Sequence, residues 1–185
     1  MSKIKQFAVP TIVLFIICFV AAALLGLTNE VTSPIIAEND LAAAQDAMKA
    51  VLPDAATFGK EGTNDYGTYA PALDADGNII GYAITSIGKG GYDGDIKVMV
   101  GVTENGVNGT TVLSNNETAS VGGKKVIKNE TFMNQFLGLT ENASIGNGNV
   151  DAISGATKTS TGVADAVNNA LLCYAQAAEE VSANG

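Results

Sequence analysis

Histidine, arginine and tryptophan are absent from the 185 residues, which contain only two cysteines and four prolines. Each absence removes a class of chemistry. Without histidine there is no Ser-His-Asp or Cys-His catalysis and no His-ligated zinc. Without arginine, every positive charge is a lysine, and the formal net charge is −9. An acidic chain of this kind has little to attract a phosphate backbone, so nucleic acid is excluded as a partner. Cys18 lies in an apolar run and Cys173 in a patterned C-terminal segment. They are not expected to bridge, and two thiols are too few for a four-thiolate iron–sulfur cluster. Both read as small buried apolar residues.

Charge is also missing from the whole interval between Lys5 and Glu30. That interval is long and apolar enough to cross a bilayer as a helix, here placed at Phe7–Leu27 with Pro10 tolerated in its first turns. A cleaved signal peptide is the rival reading, with Ala21-Ala22-Ala23 offering small residues for cleavage. A lipoprotein signal is rejected, because Ile17 precedes Cys18. Lys3 and Lys5 come before the span, and Glu30 and Glu38 come after it. The positive-inside bias therefore expects a cytoplasmic N-terminus, a span in membrane lipid and a domain outside the cell membrane.

The pattern after the span predicts an α+β domain. A helix is expected from Pro34 to Val51, ended by Pro53. Gly59–Gly67 reads as loop. Strands are expected at Thr68–Leu73, Ile79–Ser86, Ile96–Val102 and Val107–Ser114, forming an antiparallel meander with hairpin turns at 74–78 and 104–106. Alternation puts Ile96, Val98, Val100 and Val102 on one buried face. A short helix at Asn129–Leu137 buries Phe132, Met133, Phe136 and Leu137. Val150–Ile153 is extended. A last helix starts near Ser160 or Thr161, with an apolar stripe through Val163, Val167, Ala170 and Tyr174. The expected division is 1–28 as N-terminus and transmembrane helix, 29–55 as a connecting helix, and 56–185 as the extracytoplasmic domain. Asp74-x-Asp76-x-Asn78 starts like a calcium loop, but Thr85 stands where the bidentate Glu should be, so a turn is the better reading. No metal site is expected.

The chemically richest stretch is Asp151-Ala-Ile-Ser-Gly-Ala-Thr-Lys-Thr-Ser160. Ser154, Gly155 and Ala156 leave room beside the hydroxyl of Thr157, and a helix start follows. Backbone N–H groups and the helix dipole at such a start favour phosphate. Thr159, Ser160 and Thr161 add hydroxyls, and Lys158 adds charge. An ordinary capped loop would have the same spacing.

Asp151-x-x-Ser154-Gly155-Ala156-Thr157 resembles the target motif of flavin transferases, in which the last Thr carries FMN through a phosphoester. Gly90-Gly91-x-x-Gly94-x-Ile96-x-Val98-Met99-Val100-Gly101-Val102, followed by Val112-Leu113-Ser114-x-x-Glu117-Thr118-x-x-Val121-Gly122, resembles the FMN-binding domain of the Rnf complex's G component. The C component of sodium-translocating NADH:quinone reductase shares that domain. Ala119-Ser120 stands where the family usually has Pro-Gly, and Val121 where it usually has Leu. The resemblance implies covalent FMN on Thr157, with Ser154, Gly155, Ala156, Thr159 and Ser160 around the phosphate and Glu117, Thr118 and Val121 near the ring. It also implies an electron-transfer subunit with no substrate of its own. Its partners would be the other membrane subunits of an Rnf complex, which couples ferredoxin:NAD oxidoreduction to sodium or proton movement, with a flavin transferase for maturation. Alternatives are the quinone reductase component, a stand-alone anchored flavoprotein, and a non-redox binding module.

Overall fold

The computed structural model describes residues 3–91, 94–115, 126, 129–146 and 148–184. The chain divides into two compact units, Met1–Ala43 and Ala44–Gly185. The first helix, α1, runs over Lys3–Val51. Its part within the first unit exposes Leu14, Phe15, Phe19, Leu24 and Leu25, and α1 is long and apolar enough to cross a membrane. The helix expected to begin at Pro34 instead continues from the preceding residues. Nothing from Thr28 to Ser33 forces a break. The hydroxyl of Thr28 donates to the carbonyl of Leu24 at 2.8 Å, and that of Thr32 to the carbonyl of Thr28 at 2.8 Å. Pro34 removes one backbone donor and crowds the carbonyl one turn earlier, yet α1 runs through it.

The second unit is built on an antiparallel sheet of β1 (Thr57–Phe58), β2 (Gly62–Asn64), β3 (Gly67–Leu73), β4 (Ile79–Gly88), β5 (Ile96–Thr103) and β6 (Gly106–Asn115). The order is β1-β3-β4-β5-β6, with β2 also paired to β3. The four longer strands match the expected ones and extend only slightly beyond the predicted limits. β2 occupies part of the segment expected to be loop. It turns back at Asn64, whose side chain accepts the N–H groups of Tyr66 and Gly67 at 3.0 and 3.2 Å. Asp74 does the same work in the β3–β4 turn, accepting from the N–H groups of Asp76 and Asn78 at 2.9 and 2.8 Å. Its oxygens hold a hairpin together, as the turn reading requires.

Among the described residues, two further helices belong to the unit: α2 (Glu130–Asn134) and α3 (Thr157–Asn184). Asn129 caps α2 by accepting the N–H of Phe132 at 3.0 Å. Phe132 and Phe136 are buried as expected and meet edge to face at 5.3 Å, whereas Leu137 is exposed. One face of the sheet packs on α2 and α3. Ile96, Val98, Val100 and Val102 are fully buried there with Val163, Ala166, Val167, Ala170 and Cys173. Each such branched side chain contributes about 1.5–3 kcal/mol. The opposite face receives the last turns of α1, where Ala47, Val51 and Leu52 pack with Ala72, Ala83 and Met99.

That second contact depends on small residues. Register pairs Ala70 with Ala83, Ala83 with Gly101 and Gly101 with Gly109, forming a trough across four strands. A Cβ on Gly101 would strike the carbonyl oxygen of Val51, and one on Gly109 would lie 2.9 Å from the Cα of Val51. The side chain of Asn108 then donates to the Val51 carbonyl at 2.8 Å, closing the helix end.

Candidate functional site

The segment from Ala143 to Ala156 has little regular structure, and its backbone is satisfied largely by side chains. Ile145 and Val150 form an isolated bridge. The N–H of Asp151 donates to Oε1 of Gln135 at 2.8 Å, and Nε2 of Gln135 donates to the Asp151 carbonyl at 3.3 Å. Asn168 of α3 treats Ala143 in the same way, accepting at 2.6 Å and donating at 3.0 Å.

Beyond Asp151 the chain turns. The N–H of Ala156 donates to the carbonyl of Ile153 at 2.9 Å, and Gly155 between them has φ 77°. A positive φ at the third position is the mark of a type II turn, and glycine takes it without steric cost. The N–H of Ser160 then donates to the Ala156 carbonyl at 2.9 Å. The helix therefore begins at Thr157, ahead of the start expected near Ser160 or Thr161, because a backbone turn rather than a Ser or Thr cap begins it.

The candidate residues fall on two sides of this turn. Ser154, Gly155, Thr157 and Lys158 are exposed, while Ala156, Thr159 and Ser160 are buried. The sequence reading has Ser160 adding a hydroxyl around the phosphate. In the structure this hydroxyl accepts from the N–H of Ile153 at 3.2 Å and donates to the Ala156 carbonyl at 3.0 Å. It sits behind the turn and fixes it to α3. Thr159 is also turned inward, at 1 % exposure. The hydroxyl of Thr161 donates to the Thr157 carbonyl at 2.9 Å. Glu117, Thr118 and Val121 lie outside the described residues.

The start of α3 is pinned to the end of β4. The hydroxyl of Ser86 donates to the Ala166 carbonyl at 2.7 Å, the N–H of Lys89 donates to Asp165 at 2.7 Å, and Asn169 donates to the Ile87 carbonyl at 2.9 Å. Gly88 lets the strand touch the helix, since a Cβ there would collide with the Gly162 carbonyl oxygen. A separate groove of about 860 Å³ borders the last turns of α1 and includes Met48, Thr68, Thr85, Lys97, Met99 and Leu113. Among the described candidate site residues none lines it, and it holds Lys89 and Lys97 together with Glu61, Asp65, Asp95 and Asp165.

Sequence reasoning does not single out Gln135 or Asn168. Gln135 follows a short helix and reads as an ordinary surface residue. Asn168 does carry a signal, as a polar residue between Val167 and Ala170 in the apolar stripe of α3.

Residues 91–172 match the family described as the FMN-binding domain, and residues 1–51 match the RnfG N-terminal region. The chain is 32% identical over 187 residues to the G component of the ion-translocating oxidoreductase complex of Methanosarcina acetivorans, covering 92% of this chain and 96% of that protein. The chain belongs to the RnfG family. The corresponding component of the Na(+)-translocating ferredoxin:NAD(+) oxidoreductase complex of Acetobacterium woodii is 29% identical over 88% of this chain and 89% of that protein. That of the proton-translocating ferredoxin:NAD(+) oxidoreductase complex of Clostridium ljungdahlii is 29% identical over 85% of this chain and 86% of that protein. The α+β domain expected from the sequence is the one observed, and the matched FMN-binding region contains the sheet strands β5 and β6, α2 and the start of α3. As an RnfG protein, the chain is an electron-transfer component of an ion-translocating redox complex.

Proposed function

We propose that this chain carries FMN through a phosphoester on Thr157 and passes electrons within a ferredoxin:NAD oxidoreductase complex that translocates sodium or protons. The observation that supports this most is the exposed Thr157 on the first turn of α3, directly after an open turn, inside the region that matches an FMN-binding domain. Residues 1–28 would be the membrane anchor with a cytoplasmic N-terminus, 29–55 the connection, and 56–185 the extracytoplasmic flavin domain. Other membrane components of the complex would be its electron partners.

The turn suits a bulky phosphate ester. Among the described residues a Cβ built on Gly155 meets nothing within 4 Å, so the turn two residues before Thr157 is open. Thr157 Oγ1 would hold the phosphate, the first turn of α3 would favour its negative charge, and Lys158 follows in sequence. During maturation the Thr157 oxygen would form the P–O bond as the donor's P–O bond to its leaving group breaks, the hydroxyl proton leaving with that group and no change of oxidation state. FMN, when bound, supplies the one- and two-electron chemistry. The protein fixes where that chemistry happens. An ester bond also retains the cofactor outside the cell, where an exchangeable one would diffuse away.

The test is the full chain produced with a flavin transferase and run on a denaturing gel under ultraviolet light. The wild type is expected to fluoresce, and Thr157→Ala to be dark and to lack the FMN mass in intact mass spectrometry. A dark wild-type band would overturn covalent attachment of FMN to this chain. Retained mass in Thr157→Ala would move the attachment elsewhere.

A further inference from the structure

The motif is gripped from two elements at once. Gln135, at the C-cap of α2, binds both backbone polar groups of Asp151. Ser160, in the first turn of α3, binds the N–H of Ile153 and the carbonyl of Ala156. Between these grips lie Ala152 and then the Ser154–Gly155 turn. A carboxamide that accepts from an N–H and donates to the carbonyl of the same residue acts as a neighbouring strand would. It fixes both the position and the orientation of that residue's backbone. Among the described residues no strand pairs with Asp151 here, the Ile145–Val150 bridge having just ended.

We propose that Gln135 is a positioning residue for flavin attachment, holding Asp151 so that the turn presents Thr157 in one orientation. The inference rests on the reading that Thr157 carries FMN. Three features separate this from a general structural role. The bonds of Gln135 are solvent-accessible, so they contribute modestly to global stability. They are made to the first residue of the motif rather than to a core element. The turn beyond has little slack to absorb a shift, since the Ala156 N–H is tied to Ile153 and the Ser160 hydroxyl holds both ends of the turn.

The experiment compares the wild-type full chain with Gln135→Met, Gln135→Glu, Asn64→Ala and Thr157→Ala, each produced with a flavin transferase. Gln135→Met keeps the length of the side chain and removes both bonds. Gln135→Glu keeps the acceptor for the Asp151 N–H and sets a carboxylate against its carbonyl. Asn64→Ala removes the bond to the Cys173 carbonyl at 3.1 Å, far along α3 from the motif. It serves as the variant whose stability falls without disturbing the turn. Covalent occupancy is followed over time by intact mass, stability by thermal unfolding, and the environment of the attached flavin by its visible absorption spectrum.

Attachment to Gln135→Met is expected to be about tenfold slower than to the wild type, with Gln135→Glu between them. The flavin that does attach to Gln135→Met should give a spectrum closer to free FMN. Asn64→Ala should lose stability while keeping the wild-type attachment rate and spectrum. If both Gln135 variants attach FMN at the wild-type rate, the inference is overturned while the Thr157 reading stands. If slowing follows stability across all variants, Asn64→Ala included, the positioning role is equally overturned. A wild type without FMN mass overturns the underlying reading instead. Should Gln135→Met fail to fold, Gln135→Glu decides by the same criteria.

Discussion

The hydroxyl of Ser160 accepts the backbone N–H of Ile153 at 3.2 Å, from the far side of the turn that presents Thr157. Ser160→Ala removes that acceptor and the donor to the Ala156 carbonyl, leaving a part-buried N–H without its partner. The expected loss is about 1–2 kcal/mol, read from urea unfolding of the detergent-solubilised full chain. Covalent FMN should fall with it. Unchanged stability would mean that water replaces the hydroxyl at no cost.

The meeting of α1 with the sheet gives a second prediction. Gly101→Ala places a methyl against the Val51 carbonyl, where neither backbone can yield. Overpacking of this kind costs about 1–3 kcal/mol. Gly77→Ala is the control: it sits in a turn at φ 86° with nothing within 4 Å of an added Cβ. It should cost only about 1 kcal/mol, from backbone strain alone. Thermal unfolding midpoints should rank wild type above Gly77→Ala above Gly101→Ala. The reverse order of the two variants would disprove the close seat.

Cys173 should be chemically quiet. Burial raises its thiol pKa, the Asn64 side chain pulls the other way, and the nearby Glu180 charge adds a smaller push upward. The thiol is therefore protonated at pH 8, and only the thiolate reacts. In a Cys18→Ser variant, maleimide labelling should be slow in the folded protein and fast in denaturant. Rapid labelling of the folded chain would show that this end of α3 opens.

Asp74 should give a pH-dependent contribution. Backbone and side-chain hydrogen bonds from Asn78, then backbone bonds from Asp76 and Gly77, hold its carboxyl below the ordinary carboxylate range. A depressed folded pKa means that protons bind the unfolded chain more tightly. The contribution is thus present above about pH 4 and lost as pH falls through the folded value. The stability gap between wild type and Asp74→Ala should be constant from pH 7 to 5 and shrink below that. A gap that persists unchanged at pH 2 would contradict the turn's dependence on the ionised carboxylate.

Much of the fold is legible in the sequence because the signals are local. Alternating Ile96, Val98, Val100 and Val102 announce a strand with one face in the core. Thr57–Phe58 and Gly62–Asn64 are too short to carry a period, and they exist only because β3 offers them an edge. Pro34 looks like a helix start, yet a single proline, despite its lost donor and the carbonyl it crowds, does not end α1, and the flanking residues supply no other reason to stop. Thr157 is legible because small residues before a hydroxyl and a helix are a sequence pattern. Gln135 is not, because its two partners are backbone atoms 16 residues away, and backbone has no sequence signature.

The trough from Ala70 through Ala83 and Gly101 to Gly109 has a consequence for assembly. Sliding β5 by one residue would bring Val100 or Val102 to the place of Gly101, and the end of α1 could no longer lie down. Misaligned pairings are thereby refused by a helix that comes from outside the sheet. The seat works as a gauge: it closes only over correctly aligned strands.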